Sequence, residues 1–226
     1  MKLHDAGVAF AITSGRPPRG MEMLIKPLEI TTPIAAFNGG LFVRPDLSLI
    51  EQRVLQPPVV APVIEIIKAH SLDIWIYRGN DWFVRERHGP HVDREESAVK
   101  FSPTVVPDFS GKMDNVAKIV GVSDDLDAVA KCEQAVREQF AANHVHCQQS
   151  NPGRKTPAEV SAARSQPYYL DVTHPDANKG AVVLGLSKML GIAADVIVTI
   201  GDMPNDMTMF AQSGLSVAMG QSSDEV

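Results

Sequence analysis

Long hydrophobic runs are missing from this sequence of 226 residues. None approaches the ~18 apolar residues of a membrane span, and Met1-Lys2-Leu3-His4-Asp5 begins no secretory leader. Cysteine is scarce: Cys132 and Cys147 are the two in the chain, too few for a disulfide framework. Both are expected as free thiols in a reducing cytoplasm. A basic surplus is also missing. Twenty-one Lys and Arg face 27 Asp and Glu, a net charge of −6, which argues against the basic face that nucleic-acid binding needs. No internal repeat is present. What remains is a composition close to the soluble average, 44% hydrophobic and 21% charged, which argues against disorder, collagen or a coiled coil. At about 150 residues per domain the length suits one large domain or two modest ones. A chain of this length buries enough surface to hold a core without disulfides or a structural metal.

Short apolar runs closed by Gly and Pro are present, and they read as buried parallel strands. Val8–Thr13 is the first; Gly7 before it suits the end of a helix near His4-Asp5, and Ser14-Gly15-Arg16-Pro17-Pro18 closes it. Ile34–Phe37 is stopped by Asn38-Gly39-Gly40, and Val196–Ile200 by Gly201-Asp202. Leu215–Met219 is a fourth. Lys179–Leu190 carries Val182, Val183, Leu186, Met189 and Leu190 at helical spacing, closed by Gly191, and Asn205–Gln212 reads as a short helix. Helix and strand alternate here, which predicts an α/β unit with a parallel sheet.

The middle of the chain differs. Between hinges at Gln56-Pro57-Pro58 and Ser165-Gln166-Pro167, strand pairs and helices mix. Val59–His70 and Asp124–Gln139 read as helices. Asp73–Tyr77, Asp81–Glu86, Ala117–Val122 and Val145–Gln149 read as strands. This predicts an α+β module, residues 56–167, inserted into an α/β core made of residues 1–55 and 168–226. His144-Val145-His146-Cys147 has a metal-like composition, but its alternation is expected of a strand showing residues to opposite faces. His88 and His91 fall in a polar loop, and no zinc is expected at either place. Asn151–Arg164 reads as a polar loop. Trp75, Tyr77, Trp82 and Phe83 sit at strand spacing, expected as the module's core, with a ligand or partner contact as the other reading.

Ligands of open parallel sheets sit beyond the carboxyl ends of the strands, and three loaded segments fall there. In Thr13-Ser14-Gly15-Arg16, a hydroxyl and a glycine N–H can hold an anionic oxygen such as phosphate; an ordinary turn is the alternative. In Gly201-Asp202-Met203-Pro204-Asn205-Asp206, two carboxylates and an amide gather hard oxygen ligands of the kind Mg²⁺ takes alongside water and phosphate. Capping of the next helix by Asn205 or Asp206 explains the same residues. In Asn178-Lys179-Gly180, a lysine opens a helix against its macrodipole. A bound anion would compensate; a solvated surface lysine is the alternative.

Taken in order, Ile12-Thr13-Ser14-Gly15-Arg16-Pro17, Phe37-Asn38-Gly39-Gly40, Asp171-Val172-Thr173 with Asn178-Lys179-Gly180, Gly201-Asp202-Met203-Pro204-Asn205-Asp206-Met207-Thr208-Met209 and Val217-Ala218-Met219-Gly220 resemble the haloacid dehalogenase-like superfamily, in its Cof-type branch of sugar-phosphate phosphatases. The resemblance implies a Rossmann-like parallel-sheet core, an inserted α+β cap and Mg²⁺-dependent hydrolysis of small, sugar-like phosphate monoesters. It implies that Ser14 holds the transferring phosphoryl group, with Thr13 as the neighbouring alternative. Gly15 would add its N–H, and Lys179 would neutralise nucleophile and phosphate. Asn205 would contact phosphate, and Asp202 would ligate the metal. Asp206 would support the metal through water or orient Lys179. Asn38 and Arg16 would line the site.

The family's nucleophile and general acid–base come from an Asp-x-Asp-Gly-Thr element at the end of a central strand before Ser14. That element occurs nowhere in the sequence, where 13 residues precede Ser14. Asp125-Leu126-Asp127 is followed by Ala128-Val129 and is expected to cap a helix. The chain is thus expected to lack the family's first strand and its C-terminal end. Two rivals to the phosphatase are a catalytically silent phosphate-ligand binder and a phosphosugar mutase of the same superfamily. The expected partner is a small phosphorylated substrate, with neither nucleic acid nor membrane.

Overall fold

The computed structural model describes residues 2–150 and 159–226. Its elements run α1 (Lys2–Asp5), α2 (Glu22–Ile25), β1 (Ile34–Ala36), β2 (Leu41–Val43), β3 (Leu49–Gln52) and α3 (Pro57–Ala69). Next come β4 (Asp73–Arg78), β5 (Asp81–Val84), α4 (Val92–Val99), β6 (Thr104–Val105), β7 (Lys118–Val122) and α5 (Leu126–Ser150). The chain continues with β8 (Ser161–Gln166), β9 (Tyr169–Thr173), α6 (Lys179–Leu190), β10 (Val198–Gly201), α7 (Met207–Phe210) and β11 (Leu215–Ala218). These α/β elements fall into two compact units. One comprises Met1–Arg16, Glu22–Gln52 and Asp176–Val226; the other comprises Pro17–Met21 and Arg53–Pro175. No described helix is long and apolar enough to cross a membrane.

The second unit is built on a six-stranded sheet in the order β6-β5-β4-β7-β9-β8. All its pairs are antiparallel except β5 with β6. Alternation along the strands sends Ile74, Ile76, Phe83, Ile119, Leu170 and Val172 to one face. They share a core with Val60, Val63, Ile64 and Ile67 of α3 and Val129, Cys132, Val136 and Phe140 of α5. Burial there pushes the Cys132 thiol up to about 11. The opposite face carries the aromatics. Tyr77 stacks on Trp82 at 5.8 Å, and Trp75 meets Trp82 edge-on at 5.2 Å. All three are buried, as expected of a module core.

Three sequence expectations are corrected here. Val145–Gln149 is not a strand but part of helix α5. Five alternating residues are a weak signal beside the long stretch of good helix formers that precedes them; the side chains of His144, His146 and Cys147 lie outside the described part. Ser161–Gln166, expected as the end of a loop through Arg164 and a hinge at Ser165-Gln166, is strand β8, paired with β9 at the sheet edge. An edge strand with mostly exposed polar side chains has the composition of a loop. Residues 151–158 of that expected loop are outside the described residues. Third, Tyr169–Thr173 was expected in the second part of the core, and it lies in the second unit, paired with β7.

In the first unit, β1, β2 and β3 form an antiparallel sheet, and β10 pairs with β11 in parallel, Val198 opposite Leu215. Helix α6 matches its expected span. The Asn178 side chain caps it by accepting from Ala181 N–H at 2.9 Å, and Gly191 ends it in the left-handed conformation. Val182 packs on Ala35 and Phe42. Gly185 is glycine because a Cβ there would come 2.8 Å from the Phe42 ring. Two expectations of buried strands are revised. Val8–Thr13 forms no ladder beyond a single parallel bridge between Thr13 and Ala35, and Val8 and Phe10 are exposed. β10 and β11 pair as expected, but Val198, Ile200, Leu215 and Val217 are 39–60% exposed. An apolar run records a demand for burial; meeting it requires a neighbouring layer, which no sequence window encodes.

Candidate functional site

The candidate site residues Thr13, Ser14, Gly15, Arg16, Asn38, Lys179, Asp202, Asn205 and Asp206 lie in the first unit, in two groups. The first is at the end of the extended segment. Ser14 N–H donates to Ala35 O at 3.0 Å, and Asn38 N–H donates to Ser14 O at 2.8 Å. Ser14 Oγ accepts from Arg16 N–H at 3.2 Å, a local turn typical of serine. One of its two lone pairs is thereby engaged. Phe37 and Asn38 both adopt positive φ, 50° and 56°, a conformation costly for a side chain such as phenylalanine. That reversal lays the Asn38 amide against Gly15, where a Cβ would stand 3.4 Å from its Nδ2. Asn38 Oδ1 and Thr13 Oγ1 are buried and have no hydrogen-bond partner among the described residues. Arg16 is exposed.

The second group gathers at the carboxyl end of β10. Lys179, the first residue of α6, donates to Asp206 Oδ1. The other carboxylate oxygen, Oδ2, accepts from Asp202 N–H and Met203 N–H, each at 2.9 Å. Lys179 and Asp206 side chains are 12% and 3% exposed, so this is a largely buried ion pair. Burial opposes the charged carboxyl, but the Lys179 hydrogen bond, the two N–H groups and the lysine charge outweigh it and hold Asp206 below the usual carboxylate range. The compensation expected for a lysine at a helix N-terminus is thus supplied within the chain. Gly201 is glycine because a Cβ would overlap the Asp206 carboxyl.

Asp202 and Asn205 are exposed beside this pair. The Asp202 carboxylate has a 3.4 Å contact from Gln221 Nε2. Among the described residues, no three His, Cys, Asp or Glu side chains cluster as a metal cage would. A hard-oxygen carboxylate open to solvent nonetheless fits Mg²⁺, which takes one or two protein carboxylates and fills its remaining positions with water and phosphate. Asp206 differs: both of its oxygens are already engaged. Two residues given no role in the sequence reading touch this site: Thr208, quoted there only within a motif, whose hydroxyl contacts the start of α6, and Gln221. Neither has a local signal; both act through contacts that folding creates.

With the fold and this strand-end geometry in view, comparison with known proteins places the chain. The haloacid dehalogenase-like hydrolase family matches it over residues 1–226, and the chain belongs to that family. It is similar to a 5-amino-6-(5-phospho-D-ribitylamino)uracil phosphatase of Bacillus subtilis, 21% identical, covering 98% of this chain and 79% of the relative. Its fold matches a haloacid dehalogenase-like hydrolase from Bacteroides thetaiotaomicron with a TM-score of 0.81, at 24% identity over 99% of this chain and 79% of that one. A sugar phosphatase of subclass IIB of the superfamily matches with a TM-score of 0.76, at 16% identity over 99% of this chain and 78% of that one.

Proposed function

We propose that this chain serves Mg²⁺-dependent hydrolysis of small phosphate monoesters, with sugar or polyol phosphates as the substrate class. The observation that carries this reading is the Lys179–Asp206 pair held beside an open Asp202 carboxylate at a parallel strand end. Phosphoryl transfer asks the protein chiefly for positioning and charge stabilisation. Asp202 would hold Mg²⁺, which when bound supplies positive charge to phosphate oxygens. Lys179 supplies a cation whose direction is set by Asp206, and Asp206 acts on the metal at most through water. Ser14 O–H and Gly15 N–H donate to phosphate oxygens, and Asn205 and Asn38 add amide contacts. Arg16 lines the same end. The inserted second unit acts as the cap, and its residues select the ester's organic part. The relatives named for phosphorylated polyols and sugars support that substrate class. The free Cys132 thiol suits a reducing, cytoplasmic setting.

The Asp-x-Asp-Gly-Thr element that the family resemblance implies does not occur in this sequence. The alternative reading is a silent binder of phosphate ligands. Phosphate release from p-nitrophenyl phosphate, measured with Mg²⁺ and again after EDTA, separates the two. Mg²⁺-dependent turnover that falls at least about 100-fold in Asp202→Ala and Lys179→Ala supports the phosphatase. Saturable phosphate binding without turnover leaves the binder. Neither turnover nor binding overturns both.

A further inference from the structure

We propose that Thr208 is a positioning residue that sets Lys179 against Asp206, an inference that rests on the phosphate-binding site proposed above. Asp206 is fixed inside its own loop by the N–H groups of Asp202 and Met203. Lys179 arrives from a different segment, 27 residues earlier. The ion pair alone cannot fix where α6 begins, because a lysine side chain has four rotatable bonds and adapts to many placements.

Thr208 meets that need with one hydroxyl. Its Oγ1 accepts from Gly180 N–H at 3.1 Å and donates to Asn205 O at 3.1 Å. Gly180 follows Lys179 in the chain, and Asn205 precedes Asp206. The hydroxyl therefore ties together the neighbours of both partners of the ion pair. The Gly180 N–H is one of the first N–H groups of α6, which have no partner within the helix; Asn178 serves Ala181, and Thr208 serves Gly180. The backbones also lie very close. A Cβ at residue 180 would stand 2.6 Å from Thr208 O, so the first turn of α6 rests directly on the first turn of α7. Donating and accepting at once is what a hydroxyl can do and a methyl cannot.

The inference is tested on the full chain with Thr208→Val, which removes the hydroxyl and keeps the shape, and Thr208→Ser, which keeps the hydroxyl. Two readouts are taken. One is the affinity for inorganic phosphate with Mg²⁺, by calorimetry. The other is the rate of acetylation of Lys179 by acetic anhydride, read by peptide mass spectrometry against the exposed Lys188. The expectation for Thr208→Val is about a three- to tenfold loss of phosphate affinity and a similar rise in Lys179 labelling, with Thr208→Ser close to wild type. Should Thr208→Val fail to fold, Thr208→Ala is compared with Thr208→Ser, and the same difference is expected. Unchanged affinity and labelling in a folded hydroxyl-free variant overturns the inference, as does a serine variant as impaired as valine. A wild-type chain that binds no phosphate refutes the site reading itself, whereas the labelling result still judges the placement of Lys179.

Discussion

The two units of this chain bury their strands to very different degrees. In the second unit, β4 and β7 are interior strands whose apolar side chains are nearly all out of solvent, covered on one face by α3 and α5. In the first unit, β10 and β11 are likewise apolar but pair with each other in parallel, and Val198, Ile200, Leu215 and Val217 are exposed. Among the described residues the larger core lies where the six-stranded sheet meets α3 and α5. The candidate groups of the first unit are held by local polar contacts: a helix cap, a buried ion pair and a hydroxyl tie.

The strongest way to break that contrast is to hollow out the well-packed side. Trp75→Ala should cost about 4 kcal/mol of unfolding free energy, because a buried aromatic is lost with a cavity left behind. Urea denaturation followed by circular dichroism measures it, and a cost under about 1 kcal/mol would mean that the aromatic face is not a core.

A smaller effect is expected from the polar devices of the first unit. Asp206→Asn leaves Lys179 without its charge partner, at a cost of about 3 kcal/mol. The pH dependence follows from the depressed carboxyl. The folded pKa lies below the unfolded one, so the stabilisation is fully present above the ordinary value of 3.8 and is lost as pH falls through the folded value. Wild type should therefore lose stability on acidification below about pH 4 more steeply than Asp206→Asn. Equal slopes in the two proteins would show that the pair contributes nothing. The smallest effect belongs to the exposed side chains: Ile200→Ala should change stability by no more than about 0.5 kcal/mol, read from the same urea curves. A cost comparable to that of Trp75→Ala would erase the difference between the units.

The candidate site residues could be named from the sequence because the proposed chemistry is carried by short contiguous motifs. Gly201-Asp202 with Asn205-Asp206, and Asn178-Lys179-Gly180, each place charged groups within a few residues of a strand or helix end, where local rules suffice. Helix α6 was readable for the same reason, from its cap, its period and Gly191. What escaped was relational. Asp206 could be read as supporting a metal through water or as orienting Lys179, and the structure shows its two oxygens already engaged. Thr208 carries no signal until α6 lies on α7. The helix through Val145–Gln149 and the edge strand Ser161–Gln166 were misread because short windows cannot weigh a long helix's cooperativity or an edge strand's missing second layer.

By itself, then, the sequence determined the α/β class, and it proposed an inserted unit and the residues with the charge and hydroxyl chemistry to hold a phosphate. These are properties of composition, period and spacing, which act over a few residues. Only the tertiary structure decided which apolar strands are covered, that Lys179 is paired with Asp206 while Asp202 stays open, and that Phe37 and Asn38 turn back to lay an amide on Gly15. Those outcomes depend on contacts between segments far apart in the chain, and such contacts exist only once the backbone has closed around them.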